Sequence, residues 1–190
     1  DVQPTRMAAA QDAARSFLQE LPRNIDVGIV TFAGSAHVAQ QATIDRPSLI
    51  DAIDAIQMQM GTAIGSAIVL CLAELFPDDG IDLGEMIFGP QRKARSLDEK
   101  DKAPPKQIEP VAPGSYDAAA IILLSDGFPQ DFDYGQDRRS NIYGLRDTTA
   151  ALREAEAAGI TPFCITVDKA GHDYLREMCD GSRYMVIDDV

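Results

Sequence analysis

The segment Ala118–Gly127, AAAIILLSDG, constrains the fold of this 190-residue chain more than any other. Seven apolar residues run without alternation into Ser125 and Asp126, and Gly127 ends the run. A strand with no polar face belongs in a sheet covered on both sides, as in α/β proteins. Ligands of such sheets sit beyond the carboxyl ends of the strands. Asp126 stands at that end, and Asp131 and Asp133 follow in the loop. These acids suit a cation or phosphate site. A turn that favours Asp-Gly accounts for the same residues.

The surrounding pattern predicts alternating helices and strands. From Pro4 to Leu21, Met7, Ala10, Ala14, Phe17, Leu18 and Leu21 recur at helical spacing, and Pro22 stops the helix. Val27–Phe32 reads as a short apolar strand, and His37–Thr43 as a polar, alternating edge strand. Asp45-Arg46-Pro47 opens a helix with Leu49, Ile50, Ile53 and Ile56 on its inner face. Thr62 is placed to cap a further helix that buries Ile64, Ile68, Leu72 and Leu75. Beyond the Ala118–Ser125 strand the pattern predicts a helix over about 145–158 ending at Gly159, and a strand over 161–167. A short helix over about 173–179 and a last strand over 183–187 complete the series. This rhythm means a mostly parallel sheet with right-handed crossovers.

The segment from about 77 to 116 differs. It holds six of the eleven prolines and the charged run Arg92–Lys102, the composition of a solvated loop insertion. The rest is one domain's worth of chain. A net charge of −13 offers no basic stripe for a nucleic-acid backbone, which excludes that class of partner. No run of about 18 apolar residues exists to span a membrane. Cys71, Cys164 and Cys179 are too few and too scattered for a disulfide framework or a zinc site, and Cys71 and Cys164 read as small core residues.

Thr62 and Asp126 are expected to meet at the carboxyl edge of the sheet. A hydroxyl with a carboxylate is a hard-oxygen pair that suits Mg²⁺, with waters in the remaining positions. A helix N-terminus by itself prefers anions, so a metal beside Thr62 makes sense when an acidic group joins from outside. Thr62 as a plain cap and Ser66 as a packing residue is the alternative.

The succession VGIVTFAG, GTAIGSAI and AAIILLSDG resembles the von Willebrand factor A (VWA) domain, a doubly wound α/β fold. That family carries a metal-ion-dependent adhesion site, MIDAS. It is built from an Asp-x-Ser-x-Ser motif after the first strand, a Thr in a second loop and an Asp in a third. The resemblance gives Thr62 the Thr role and Asp126 the third-loop role, with Ser66 and Asp131 close by. It implies Mg²⁺, a partner protein that offers a carboxylate, and adhesion instead of catalysis. The first strand and its motif do not appear in this sequence. In the family that strand lies between the two that VGIVTF and AAIILLSD form, so the chain reads as an N-terminally truncated single domain, residues 1–190. Two strands are then left without a shared neighbour, and metal binding is expected to be weak or absent in this form.

The resemblance has two parts. Residues 1–127 resemble VWA proteins of bacterial aerotolerance operons, which are membrane-tethered. Residues 128–190, with DGFPQDFDYG, YGLRDTTAALREA and ITPFCITVDKAGHDYL from Phe128 on, resemble VWA domains of nitric-oxide-reductase and Rubisco activation proteins, which are soluble. Both groups are associated with MoxR-type AAA+ ATPases. The implied role is an interaction module of a bacterial assembly or activation system, cytoplasmic or anchored through segments outside this chain.

Two other function classes compete. A metal-independent scaffold fragment needs no site at all. A Mg²⁺-dependent phosphatase needs a nucleophilic Asp with a second Asp two residues on. Phe128 occupies that position after Asp126, and Asp131-x-Asp133 begins too late in the loop. Asp131, Asp133 and Asp137 then read as surface carboxylates of a partner-binding face. Tyr134, Tyr143, Arg138 and Arg139 are of the residue types that anchor interfaces. His172 has no positioned nucleophile to serve as a base.

Overall fold

Among the described residues the strands form two sheets, and one helix packs against both parts. The computed structural model describes residues 6–76, 119–125, 128–129, 142–166, 171–179 and 181–186. The proposed insertion over 77–116 lies outside the described residues.

Helix α1 spans Arg6–Glu20 and is followed by the hairpin of β1 (Val27–Phe32) and β2 (Ala36–Thr43). The hairpin is antiparallel with Phe32 opposite Ala36, and Ala33 N–H donates to Ser35 O at 2.9 Å in its turn. His37 on β2 is within 2.8 Å of the Ser35 hydroxyl, a local contact of the same turn. Helix α2 (Arg46–Asp54) starts after Asp45 with Pro47 in its first turn, where a missing N–H costs nothing. Leu18 of α1 packs on Leu49 and Ile53 of α2, with Val27 and Ile29 of β1 beside them. Phe17, expected on the inner face of α1, is instead 43% exposed. One helical step from Leu18, it falls off the narrow stripe that α2 covers.

Helix α3 (Ile64–Leu75) buries Ile64, Gly65, Ala67, Ile68, Val69 and Leu72. Leu75, expected inward, lies at its exposed end, and Phe76 packs against the core there instead. The remaining elements are β3 (Ala120–Ser125), α4 (Ile142–Ala157), β4 (Thr161–Thr166), α5 (Gly171–Met178) and β5 (Tyr184–Val186). The stop of α4 is chemically explicit. Gly159 has φ +80, its N–H bonds Glu156 O at 3.0 Å, and Ile160 N–H bonds Ala155 O at 2.9 Å. These two bonds satisfy carbonyls that the last turn leaves open, and the left-handed residue between them favours glycine.

Strands β3, β4 and β5 form a parallel sheet in that order, with Ala120 opposite Thr161 and Cys164 opposite Tyr184. Among the described residues β1 pairs only with β2, and β3 only with β4. No strand among the described residues pairs with both β1 and β3. Helix α3 spans the division: it packs on β1 and β2 and also on α4, and its apolar face joins the cluster that holds Ile121 and Leu123 of β3.

Strand β3 departs from the sequence reading in one respect. Ile121 and Leu123 are buried while Ala120 and Ile122 are exposed, Ile122 by 43%. An apolar run was expected to be covered on both faces. Instead α3, α4 and α5 supply the core on one face, which also takes Cys164, Leu152 and Leu175. Register then puts Ile122 beside Phe163, Leu124 beside Ile165, and Ile165 in turn beside Met185, on the other face. The smaller sheet has helices on both sides, since Val27 and Ile29 meet the α1–α2 cluster while Phe32 packs against the larger core.

One polar group in this core is out of balance. Thr148 of α4 is fully buried, and its hydroxyl has no hydrogen-bond partner among the described residues. A buried, unsatisfied hydroxyl costs about 1–3 kcal/mol, and valine has nearly the same shape without that group. Thr148→Val should therefore raise stability by roughly 1 kcal/mol in urea unfolding. A loss of stability in that variant would show that the hydroxyl is satisfied.

Candidate functional site

Thr62 sits in the loop between α2 and α3, held against the end of the β1–β2 hairpin. Ala63 N–H donates to Ala33 O at 2.7 Å, which ties the start of α3 to the carboxyl end of β1. Gly61 has φ +105, and a Cβ there would lie 2.6 Å from the Gly34 nitrogen. Two backbones therefore touch just before Thr62, which requires glycine at 61.

Thr62 does not cap α3. The residue at the cap position is Ala63, with no side-chain cap bond, and the Thr62 carbonyl accepts from Ile64 N–H at 2.9 Å. The register with Ala33 moves the start of the helix one residue on, so the Thr62 side chain is not committed to the first turn. Thr62 and Ser66 are both half-buried, with Ser66 in the first turn of α3.

Asp126 and Asp131 lie outside the described residues, as do Asp133, Tyr134, Asp137, Arg138 and Arg139. Their described neighbours are well anchored. Ser125 ends β3 beside Thr166, and the Phe128 ring packs edge-on against Tyr174 of α5 with centroids 5.0 Å apart. The Tyr174 hydroxyl lies 3.2 Å from the Thr166 hydroxyl, within the buried end of β4. Pro129 is fully buried under the first turn of α4, so close that a methyl at Gly144 would strike its carbonyl. Tyr143, one of the expected anchors, is 59% exposed at the start of α4.

A further acid joins α3 that the sequence reading did not select. The carboxylate of Asp147 on α4 lies over Gly65, so close that a methyl there would run into it. An acid beside a helix N-terminus is favoured by the unpaired N–H groups of the first turn. The signal was a glycine inside an apolar helical stripe, which marks a close approach. Asp147 itself is an exposed helical acid, and nothing local marks it.

For a divalent cation the fit is partial. Thr62, Ser66 and Asp147 are hard-oxygen groups at the N-terminal end of α3, of the kind that Mg²⁺ takes. Among the described residues no group of three or more His, Cys, Asp or Glu is placed to hold a metal. No helix among them is long and apolar enough to cross a membrane.

Comparison with known proteins agrees with this architecture. Residues 1–96 match the model of the von Willebrand factor type A domain. A UPF0353 protein of Mycobacterium bovis is 32% identical over 150 residues, 75% of this chain and 44% of that protein. Another from Mycobacterium leprae is 35% identical over 119 residues, 63% of this chain and 35% of that protein. The chain thus spans less than half the length of these curated relatives. Among solved structures, BatB from Bacteroides thetaiotaomicron superposes with a TM-score of 0.58 at 21% identity, over 100% of this chain and 83% of that one. An aerotolerance-related membrane protein from Bacteroides fragilis gives 0.54 at 21% identity, covering 87% and 58%. Both structures carry the fold alone. With a family model matching half of its length, this chain belongs to the von Willebrand factor type A family.

Proposed function

We propose that the protein is an interaction module whose partner-binding edge is organised by Mg²⁺ at Thr62 and Asp126. The observation that carries this reading is the placement of Thr62. The Ala63–Ala33 bond and the Gly61 turn hold it at the carboxyl end of β1, the edge where ligands of α/β sheets bind, without using it as a helix cap. Asp126 follows directly on Ser125 at the end of β3. Ser66 and Asp131 are the secondary oxygen donors of this reading. The hydroxyls and the N-terminus of α3 would hold no dication by themselves, so the carboxylates and an acidic group from the partner complete the shell. Met58 and Met60, 68% and 79% exposed just ahead of Thr62 in the sequence, are adaptable apolar residues open to a partner.

The partner of this reading is a MoxR-type AAA+ ATPase, with a client metalloenzyme or envelope protein beyond it. The module acts in the cytoplasm or from a membrane anchor elsewhere in its parent, and it does no chemistry of its own. The test is Mg²⁺ titration by calorimetry into the full-length form, with Thr62→Ala and Asp126→Ala alongside. Each variant should weaken Mg²⁺ binding at least about 10-fold, since losing even a supporting group of a metal shell typically costs that much. Capture of the purified ATPase should fall in parallel and should require Mg²⁺. Unchanged affinity in both variants removes these residues from the shell. Capture that persists in EDTA favours the metal-independent scaffold.

A further inference from the structure

Cys164 and Cys179 are far apart in sequence for any thiol motif, yet their sulfurs lie 3.3 Å apart. Both are free thiols. Each sits on fixed backbone: Cys164 in β4 donates its N–H to Arg183 O at 2.9 Å, and Cys179, just past α5, donates to Leu175 O at 2.8 Å. A disulfide needs its sulfurs about 2.05 Å apart, so closure asks the two sulfurs to approach by roughly 1.2 Å.

The two thiols differ in exposure. Cys164 is 1% exposed within the core, whereas Cys179 is half-buried and lines a pocket of about 280 Å³. Arg153, Glu156, Glu177 and Arg183 share that pocket, and Arg183 forms an ion pair with Glu156 at its rim. The hydrogen bond with Cys164 holds the Cys179 thiol below its ordinary value, and Arg183 adds to this against burial and the Glu156 charge. Cys164 moves the other way, raised by the same bond and by burial. Cys71, away from this pair, is pushed up to about 11 by burial and by Glu74. The more exposed sulfur of the touching pair is therefore Cys179, and Cys164 lies behind it in the core.

We propose that Cys179 and Cys164 form a peroxide-sensitive dithiol, with Cys179 as the attacking thiol and Cys164 as the resolving one. The oxidant is a small hydroperoxide that reaches Cys179 through the pocket. The Cys179 thiolate attacks a peroxide oxygen; the S–O bond forms, the O–O bond breaks, and the departing hydroxide takes a proton to become water. Cys164 then gives up its proton and attacks the Cys179 sulfenic acid. The S–S bond forms, the S–O bond breaks, and a second water leaves with that proton. Two thiols supply the two electrons that reduce one hydrogen peroxide to two waters. The product ties the C-terminal end of α5 to β4.

The test is hydrogen peroxide treatment of the folded protein, alkylation of remaining thiols and non-reducing peptide mapping. The expected product is an intramolecular Cys164–Cys179 link, reversed by dithiothreitol, with Cys71 alkylated. In Cys164→Ala, Cys179 should accumulate as a sulfenic acid that dimedone traps. In Cys179→Ala, Cys164 should oxidise roughly 10-fold more slowly than Cys179 does in the parent. Circular dichroism checks that both variants fold, and the mapping of the unsubstituted protein stands without them. Full alkylation of Cys164 and Cys179 after peroxide, oxidation of Cys71 first, or links only between chains would each overturn the proposal.

Discussion

Ile68→Ala is expected to destabilise the protein by about 2–5 kcal/mol, the range for truncating a fully buried aliphatic side chain in a core that cannot collapse around the gap. Ile68 is 1% exposed and sits mid-way along α3 with Ile64 and Leu72, both equally buried. Its position makes the cost unusually consequential. No strand pairing connects β1–β2 to β3–β4–β5 among the described residues, and α3 packs on both parts. Weakening α3 therefore loosens the attachment of one sheet to the other as well as the core. Against a typical total of about 5–15 kcal/mol, such a loss is a large fraction of stability. Urea unfolding followed by circular dichroism measures it, and a midpoint equal to that of the parent would show that α3 does not hold the two parts together.

Gly61→Ala should act through the backbone. Its φ of +105 is a conformation that side-chain-bearing residues avoid, at a cost of about 1–3 kcal/mol. The added methyl would also meet Gly34 N at 2.6 Å, Gly34 Cα at 2.7 Å and Ala33 C at 2.9 Å. These are main-chain atoms of the hairpin turn, and they cannot swing aside as a side chain can. Relief requires the loop to move, which breaks the Ala63–Ala33 bond and carries Thr62 with it. The variant should lose stability and, on the metal-site reading, Mg²⁺ affinity together. Gly181→Ala is the control, since a methyl there meets nothing within 4 Å and the backbone is ordinary. It should stay within about 0.5 kcal/mol of the parent. Equal stability of the two variants would refute the close-approach account of Gly61.

Much of this fold was legible because its signals are local. The apolar stripe from Ile64 to Leu72 has helical spacing and forms α3. Gly159 ends α4 because a left-handed residue closes the last turn there. That β1 and β3 do not pair with each other among the described residues agrees with the order of motifs that the family resemblance supplied. The misreadings share one cause. Phe17, Leu75 and Ile122 are apolar and periodic, but periodicity states which residues could be buried and not which faces find a covering element. Thr62 failed as a cap because a hydrogen bond to the hairpin, thirty residues back in the chain, set where α3 begins.

The candidate site divides in the same way. Thr62 and Ser66 were chosen from a motif and lie at the N-terminal end of α3. Asp147 was not, since its nearness to Gly65 arises only when α4 packs across α3. Cys164 and Cys179 likewise gave no signal as a pair, since three scattered cysteines make no framework and Cys164 reads as a core residue.

By itself the sequence determined the helix and strand segments, the family and the residues able to bear chemistry, because each depends on side chains close together along the chain. Tertiary structure alone decided that α3 bridges two sheets, that Asp147 overlies its first turn and that two distant thiols touch. Those juxtapositions depend on how helices cross and strands register, and packing determines both only when the whole core assembles.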